Sequence, residues 1–279
     1  MRQALERQGW TAGRHTLAAV LPRSISDREI REHVGKPKKA RSAQRRRERA
    51  ARRVIVSARH PGALWSMNTT QVERTGRGDL CAEVVRDIAS AGIPAVALGW
   101  DGSARAKVEA LDAAAREAGG YPLVLFTDNG SAYISEYFQN ALVARKILHV
   151  RSLPRIPQHN PWVERAHREL KELAPYELCD PLACLFEQRS QQYEAARRRL
   201  NTLRVRTSRG GLTAEQLDKT ADRATLETLR SELYAAGCEA AARVVLSDGS
   251  RFALRKAQRE ALLATLETFA LITRTRGDA

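Results

Sequence analysis

The sequence predicts a mixed α/β domain of five strands and their linking helices, set between helical N- and C-terminal regions. Three observations carry this. From about residue 60 onward, short apolar runs are separated by Gly- and Asp-containing turns, which is the texture of strands. Between and after them lie Ala-rich or amphipathic stretches with helical spacing and recognisable ends. The resulting order is β-β-β-α-β-α-β-α, a meander of three strands continued by helix-linked parallel strands.

Each element has its own justification. Residues 2 to 34 read as two short helices: Leu17, Val20 and Leu21 form an apolar stripe, Pro22 ends the first helix, and Ser26 with Glu29 makes a capping box for a second running through Ile30 to Val34. Such a pair resembles part of a helix-turn-helix module. Gly35 and Pro37 break the pattern, and an Arg-rich stretch follows as linker or exposed helix. Ala63 to Val72, Leu80 to Ile88 and Ile93 to Leu98 are the three meandering strands. Ser103 to Ala118 is a helix with apolar positions at Val108, Leu111 and Ala115, closed by Gly119 and Gly120. Pro122 to Phe126 is a buried strand ending at Thr127 and Asp128, residues 135 to 146 a helix, and Ile147 to Val150 the fifth strand. After a Pro-rich loop, Pro161 opens a helix reaching about Leu173. Beyond residue 185 the chain reads as basic helix, with Arg197, Arg198, Arg199, Arg204, Arg206 and Arg209 close together and a capping box at Thr213 to Gln216. The expected domains are therefore 1–35, a partial helix-turn-helix; 36–59, a basic linker; 60–185, the sheet domain; and 186–279, a basic helical region.

Composition narrows the function. The net charge of +15 implies a polyanionic partner. Between Lys36 and Arg59 eleven basic residues face one acidic residue, so this stretch, with Arg45, Arg46 and Arg47 at its centre, supplies +10 of the total. A segregated field of that kind neutralises phosphates with salt-dependent, largely sequence-independent affinity, although a solvated linker has the same composition. The four cysteines form no CxxC pair and read as buried free thiols rather than a zinc site. No run is long and apolar enough for a membrane span, and residues 1 to 10 lack a secretory apolar stretch, so no membrane association and a cytoplasmic location are expected.

The chemistry is concentrated in two segments. FTDNGSAY carries Asp128, and LPRIPQHNPWVERAHRELK carries Glu164, with 35 residues between the two acids. Singly, each is a soft signal, because Asp-Asn-Gly is a common turn and a Glu in a first helical turn interacts with the helix dipole. Together with PGALWSMNTTQV, VVRDIAS and PQHNPWVER, they make the stretch from Pro61 to Lys171 resemble the catalytic core of DDE polynucleotidyl transferases, the retroviral-type integrases and bacterial insertion-sequence transposases. That resemblance implies a ribonuclease H-like mixed five-stranded sheet that cuts DNA ends and joins them to a target. Its cofactors would be two Mg²⁺ (or Mn²⁺) ions held by acidic side chains, and its partners double-stranded DNA and further copies of the chain. Asp128 and Glu164 match the second and third acids and are the expected metal ligands. Arg168 and Lys171, on the same helical face as Glu164, match positions that touch DNA; Asn160 either orients its loop or contacts DNA, and His159 is a phosphate contact or a bystander.

Asn68 occupies the place of the first acid. An amide oxygen can ligate a cation, but it lacks the charge that holds two dications together, so the chain is expected to be weak or inactive as a transferase. Asp87 and Asp101 are the candidates to substitute, with Asp87 more suited to orienting a loop. Two alternatives follow: a catalytically inactive DNA-binding relative that occupies element ends or regulates transposition, and a different nuclease of the same fold. The half-module at Met1 and the helical tail also suggest an end-truncated fragment.

Overall fold

The computed structural model describes residues 54–75, 78–153, 160–174, 185–245 and 250–276. Two compact units divide the chain, Val56–Arg274 and Met1–Ile55 with Thr275–Ala279. The expected helix-turn-helix, Arg45 to Arg47, His159, Cys179 and Cys184 lie outside the described residues.

In the larger unit, strands β2 (Leu64–Thr75), β3 (Gly78–Asp87), β4 (Ala95–Gly99), β5 (Val124–Thr127) and β6 (Leu148–Arg151) form a sheet in the order β4-β3-β2-β5-β6. The β2–β3 and β3–β4 pairs are antiparallel; β2–β5 and β5–β6 are parallel. This is the expected meander followed by parallel crossovers. The helices are α1 (Ala104–Ala118), α2 (Ser131–Ile134), α3 (Glu136–Ala144), α4 (Pro161–Leu173), α5 (Leu185–Thr202), α6 (Ala214–Asp218), α7 (Arg223–Ala242) and α8 (Arg251–Thr268). Their caps follow the sequence signals. Ser103 Oγ accepts from Ala106 N, Gly119 closes α1 at φ 72°, and Thr213 with Gln216 completes the capping box of α6.

Two strands lie where the sequence reading has none. β1 (Val54–Ala58), inside the expected basic linker, pairs with β7 (Ile272–Arg276), inside the expected helical tail. The helices beyond residue 185 also share the sheet's core. Leu226, Leu233, Leu263 and Leu266 pack with Leu64, Val124, Phe126, Leu148 and Val150. The thiols of Cys81 and Cys238 are free, but Cys81 is only partly buried and Cys238 is exposed, contrary to the expectation that both are core residues. No helix among the described residues is long and apolar enough to cross a membrane.

Strand alternation divides β2 cleanly. Trp65 and Met67 point into a core built with Leu111, Leu125, Phe138 and Leu142, on the side of α1 and α3. The opposite face begins with Leu64 in one apolar cluster and reaches Val72 in another, where Leu80, Ala82 and Val84 meet Val163, Ala166 and Leu170 of α4. Between these clusters, that face carries Ser66, Asn68 and Thr70 in succession. A polar gap thus interrupts an otherwise apolar surface, and α4 lies along it.

Candidate active site

Helix α4 is seated at both ends of this gap. Pro161 occupies its first turn, and Trp162 packs edge-on against Phe126 with ring centroids 5.3 Å apart. Asn160, Glu164, His167 and Lys171 recur at helical spacing on one face, and three of them bond successive positions of β2. Asn160 Oδ1 accepts from Ser66 Oγ at 2.5 Å and its Nδ2 donates to Met67 O at 3.3 Å. His167 Nε2 donates to Asn68 O at 3.2 Å, and Lys171 Nζ to Thr70 Oγ1 at 2.9 Å. Glu164 lies between Asn160 and His167 on that stripe.

Asp128 approaches from β5. The parallel ladder pairs Leu64 with Val124, Trp65 with Leu125 and Ser66 with Phe126 and ends there, so Asn68 and Asp128 each follow two residues after its last pair. Asp128 is partly exposed and, among the described residues, its carboxylate takes one bond, from Gly130 N to Oδ1 at 2.8 Å, which closes the Asp-Asn-Gly turn. Among the described residues no hydrogen bond or ion pair engages the exposed Glu164 carboxylate. Desolvation raises its pKa, and the charge of Arg168 opposes that shift. Asn68 Oδ1 accepts from Thr69 N at 2.9 Å.

The remaining expectations separate by their contacts. Asn160 is 3% exposed, with its side-chain amide bonded to Ser66 and Met67 of β2. Arg168 is exposed. Asp87 is buried and accepts from Gly62 N (2.7 Å), Ser90 N (2.6 Å) and Ser90 Oγ (2.9 Å), so it organises a loop. Asp101 is bonded to Ser103 at the start of α1. The residue facing Asn68 on β3 is Val84. Both aspartates are thus engaged by other groups.

The basic cluster after residue 190 is divided: Arg198, Arg199 and Arg204 are exposed, while Arg197, Arg206 and Arg209 turn inward. Arg197 donates to Ile93 O and Pro94 O, Arg206 to Ala91 O, and Arg209 to Ile88 O, clamping the β3–β4 connection. Sequence reasoning also missed His167. Desolvation first, then the charges of Lys171 and Arg86, lower its pKa to about 4, so it is a neutral donor to the strand that carries Asn68. Its spacing from Glu164 was the available signal.

Comparison with known proteins addresses the fold first. A chain of the simian T-cell lymphotropic virus intasome, solved in complex with PP2A regulatory subunit B56 gamma, superposes with a TM-score of 0.51 at 19% identity, covering 79% of this chain and 74% of that one. The fold is that of a ribonuclease H-like integrase core. In sequence, 111 residues are 35% identical to the Pol-related polyprotein of the mouse intracisternal A-particle MIA14, covering 40% of this chain and 12% of that protein. A further 54 residues' match, at 48% identity, is to a Mus musculus IgE-binding protein, covering 19% of this chain and 10% of that protein. The chain thus spans a small part of the curated relatives it matches. No family model matches it.

Proposed function

We propose that this chain carries a DDE-type DNA integration site, with Asn68, Asp128 and Glu164 at the three metal-ligand positions, and that Asn68 leaves it impaired. The observation that supports this most is the arrangement around the polar gap: Asn68 and Asp128 each two residues beyond the last pair of the β2–β5 ladder, and Glu164 on the helical stripe bonded along β2. Two carboxylates without ion-pair partners among the described residues, beside an amide oxygen, form a hard-oxygen donor set that fits Mg²⁺ or Mn²⁺. Asp128 and Glu164 would hold the ion. When two ions are bound at such a site, they supply activation of the attacking hydroxyl and stabilisation of the leaving oxygen. The chain's own groups do the rest: Asn160 and His167 fix α4 against β2, and Arg168 with Lys171 flanks the site with positive charge where a phosphodiester approaches. The basic segment 36–59 supplies non-specific affinity for double-stranded DNA, and the 35% identity to a Pol-related polyprotein favours the integrase side of the resemblance over the bacterial transposase side.

A second reading, a DNA-binding relative without catalysis, draws on Asn68 itself: its oxygen is turned to Thr69 N, and the residue facing it on β3 is Val84, not an acid. Strand-transfer assays on duplexes of the flanking DNA ends, with Mg²⁺ or Mn²⁺, separate the two. Asn68→Asp should raise activity by at least about 100-fold, roughly 2.7 kcal/mol of transition-state stabilisation, and Asp128→Ala or Glu164→Ala should abolish it. Activity in the unsubstituted chain that survives Asp128→Ala would sink the site assignment. DNA binding with no activity in the Asn68→Asp protein would support the second reading.

A further inference from the structure

Behind Asn68, on the other face of β2, lies a buried polar cluster that the proposed chemistry does not use. Lys107 of α1 and Glu83 of β3 are 5% and 8% exposed. Lys107 Nζ donates to Glu83 Oε2 at 2.7 Å and to Thr69 Oγ1 at 2.5 Å, and stands 4.3 Å from the centroid of the Tyr133 ring. Thr69 Oγ1 donates to Glu83 Oε2 at 2.6 Å, while the Tyr133 hydroxyl donates to Oε1. Both oxygens of one carboxylate are therefore occupied, by groups from β2, α1 and α2. A buried ion pair adds little net stability over well-packed apolar side chains, and the surrounding layer is apolar.

The cluster's neighbours in the chain suggest another role. Thr69 follows Asn68. Tyr133 ends the turn that begins at Asp128: its N–H donates to Gly130 O at 3.0 Å, and Gly130 N donates to Asp128 Oδ1 at 2.8 Å. Between positions 68 and 128 there is no ladder, since the β2–β5 pairing ends at Ser66 and Phe126. The spacing of the two ligand positions needs another tie, and a polar bridge between the two segments runs from Thr69 through Glu83 to Tyr133.

We propose that Glu83 is a positioning residue, which through Thr69 and Tyr133 sets the separation of residue 68 and Asp128 from the far side of the sheet. Desolvation and the charge of Glu83 hold the Tyr133 phenol well above its ordinary pKa, so it remains a donor. The inference rests on the site assignment above, but it has a readout that does not.

The test is Tyr133→Phe, which removes one hydroxyl and keeps the edge-on packing against Phe138, with Glu83→Gln as a second variant. In the chain as it stands, amide exchange at Gly130 should accelerate at least about tenfold in Tyr133→Phe, with α7 amides unchanged. In Asn68→Asp protein, Tyr133→Phe should weaken Mn²⁺ binding about fivefold or more, and that loss should vanish when Asp128→Asn is added. Unchanged exchange at Gly130, or an equal Mn²⁺ loss with and without Asp128, overturns the proposal. Failure of Asn68→Asp protein to bind Mn²⁺ at all would overturn the site assignment instead, leaving the exchange measurement to decide the tie.

Discussion

Glu164 and Glu169 stand five residues apart on α4 and are physical opposites. Glu169 is 3% exposed and meets Arg86 and Arg206 at 3.2 Å, Arg165 at 3.5 Å and Arg204 at 3.8 Å. Glu164 is exposed and engages no cation at ion-pair distance among the described residues. Among the described residues Asp87 and Asp128 repeat the contrast, the first accepting three hydrogen bonds in the interior and the second taking one at the surface. A carboxylate that the fold requires is surrounded by donors; one kept half-solvated and open beside a polar gap retains its oxygens for something else.

The contrast breaks most readily at its strongest member. Glu169→Gln leaves the Arg86 and Arg206 guanidinium groups buried without a countercharge and should cost about 3–5 kcal/mol in urea unfolding. Glu164→Gln should cost less than about 1 kcal/mol. Equal losses would mean that Glu164 is another structural acid. Asp87→Ala, which strands two backbone N–H groups and a hydroxyl, is expected to lose about 2–4 kcal/mol, against about 1 kcal/mol for Asp128→Ala.

Acid titration sharpens the same comparison. At Glu169 burial opposes ionisation, but the hydrogen bond from Arg206 and the charges of Arg86, Arg206 and Arg204 outweigh it and lower the pKa. Its stabilisation is complete above the unfolded glutamate pKa and is lost as pH falls below it. Glu164 is raised, so the folded state holds its proton more tightly and the linkage has the opposite sign. His149 adds a loss that starts earlier. Desolvation first and Arg151 second depress it to about 3, and the neutral ring fits its contacts: Thr127 Oγ1 donates to Asp128 O, leaving Nε2–H to donate to Thr127, while Gln139 Nε2 lies 2.9 Å from Nδ1. Its contribution is fully present above about pH 6.5 and fades as pH falls toward 3, on the order of 2 kcal/mol for a partly buried ring. Chemical denaturation across pH 3–8 should show Glu169→Gln flattening the fall below about pH 4.5 and His149→Gln flattening it from about 6.5, with Glu164→Gln removing neither.

The central strands and α1 and α4 were legible because period and punctuation agree: alternation in β2, a capping serine and a terminal glycine on α1, a proline opening α4. The pairing of β1 with β7 was not, since VIVSA is a five-residue segment directly following an arginine run and its partner is more than two hundred residues away. At the proposed site, the 35-residue interval is what singles out Asp128 and Glu164, and PGALWSMN is what singles out Asn68. What composition hid was direction. Arg197, Arg206 and Arg209 read as a basic patch, yet they point inward to carbonyls of the β3–β4 connection. Glu83, Lys107 and Tyr133 come from three distant segments, and no local pattern marks their meeting.

The smallest effect tests that distinction between inward and outward charge. Arg199 is exposed on α5, two residues from the buried Arg197. Arg199→Gln should alter stability by no more than about 0.5 kcal/mol. If this surface meets a phosphate backbone, the same variant should weaken binding of double-stranded DNA a few-fold regardless of sequence, and reduce the slope of log K against log salt by roughly one. Arg197→Gln should behave in reverse, with a measurable loss in urea and an unchanged salt slope, because its guanidinium is committed to Ile93 O, Pro94 O, Glu194 and Glu117. An unchanged slope in Arg199→Gln would confine the DNA-facing charge to other elements, and a lowered slope in Arg197→Gln would show that burial is a poor guide to which arginines meet the polyanion.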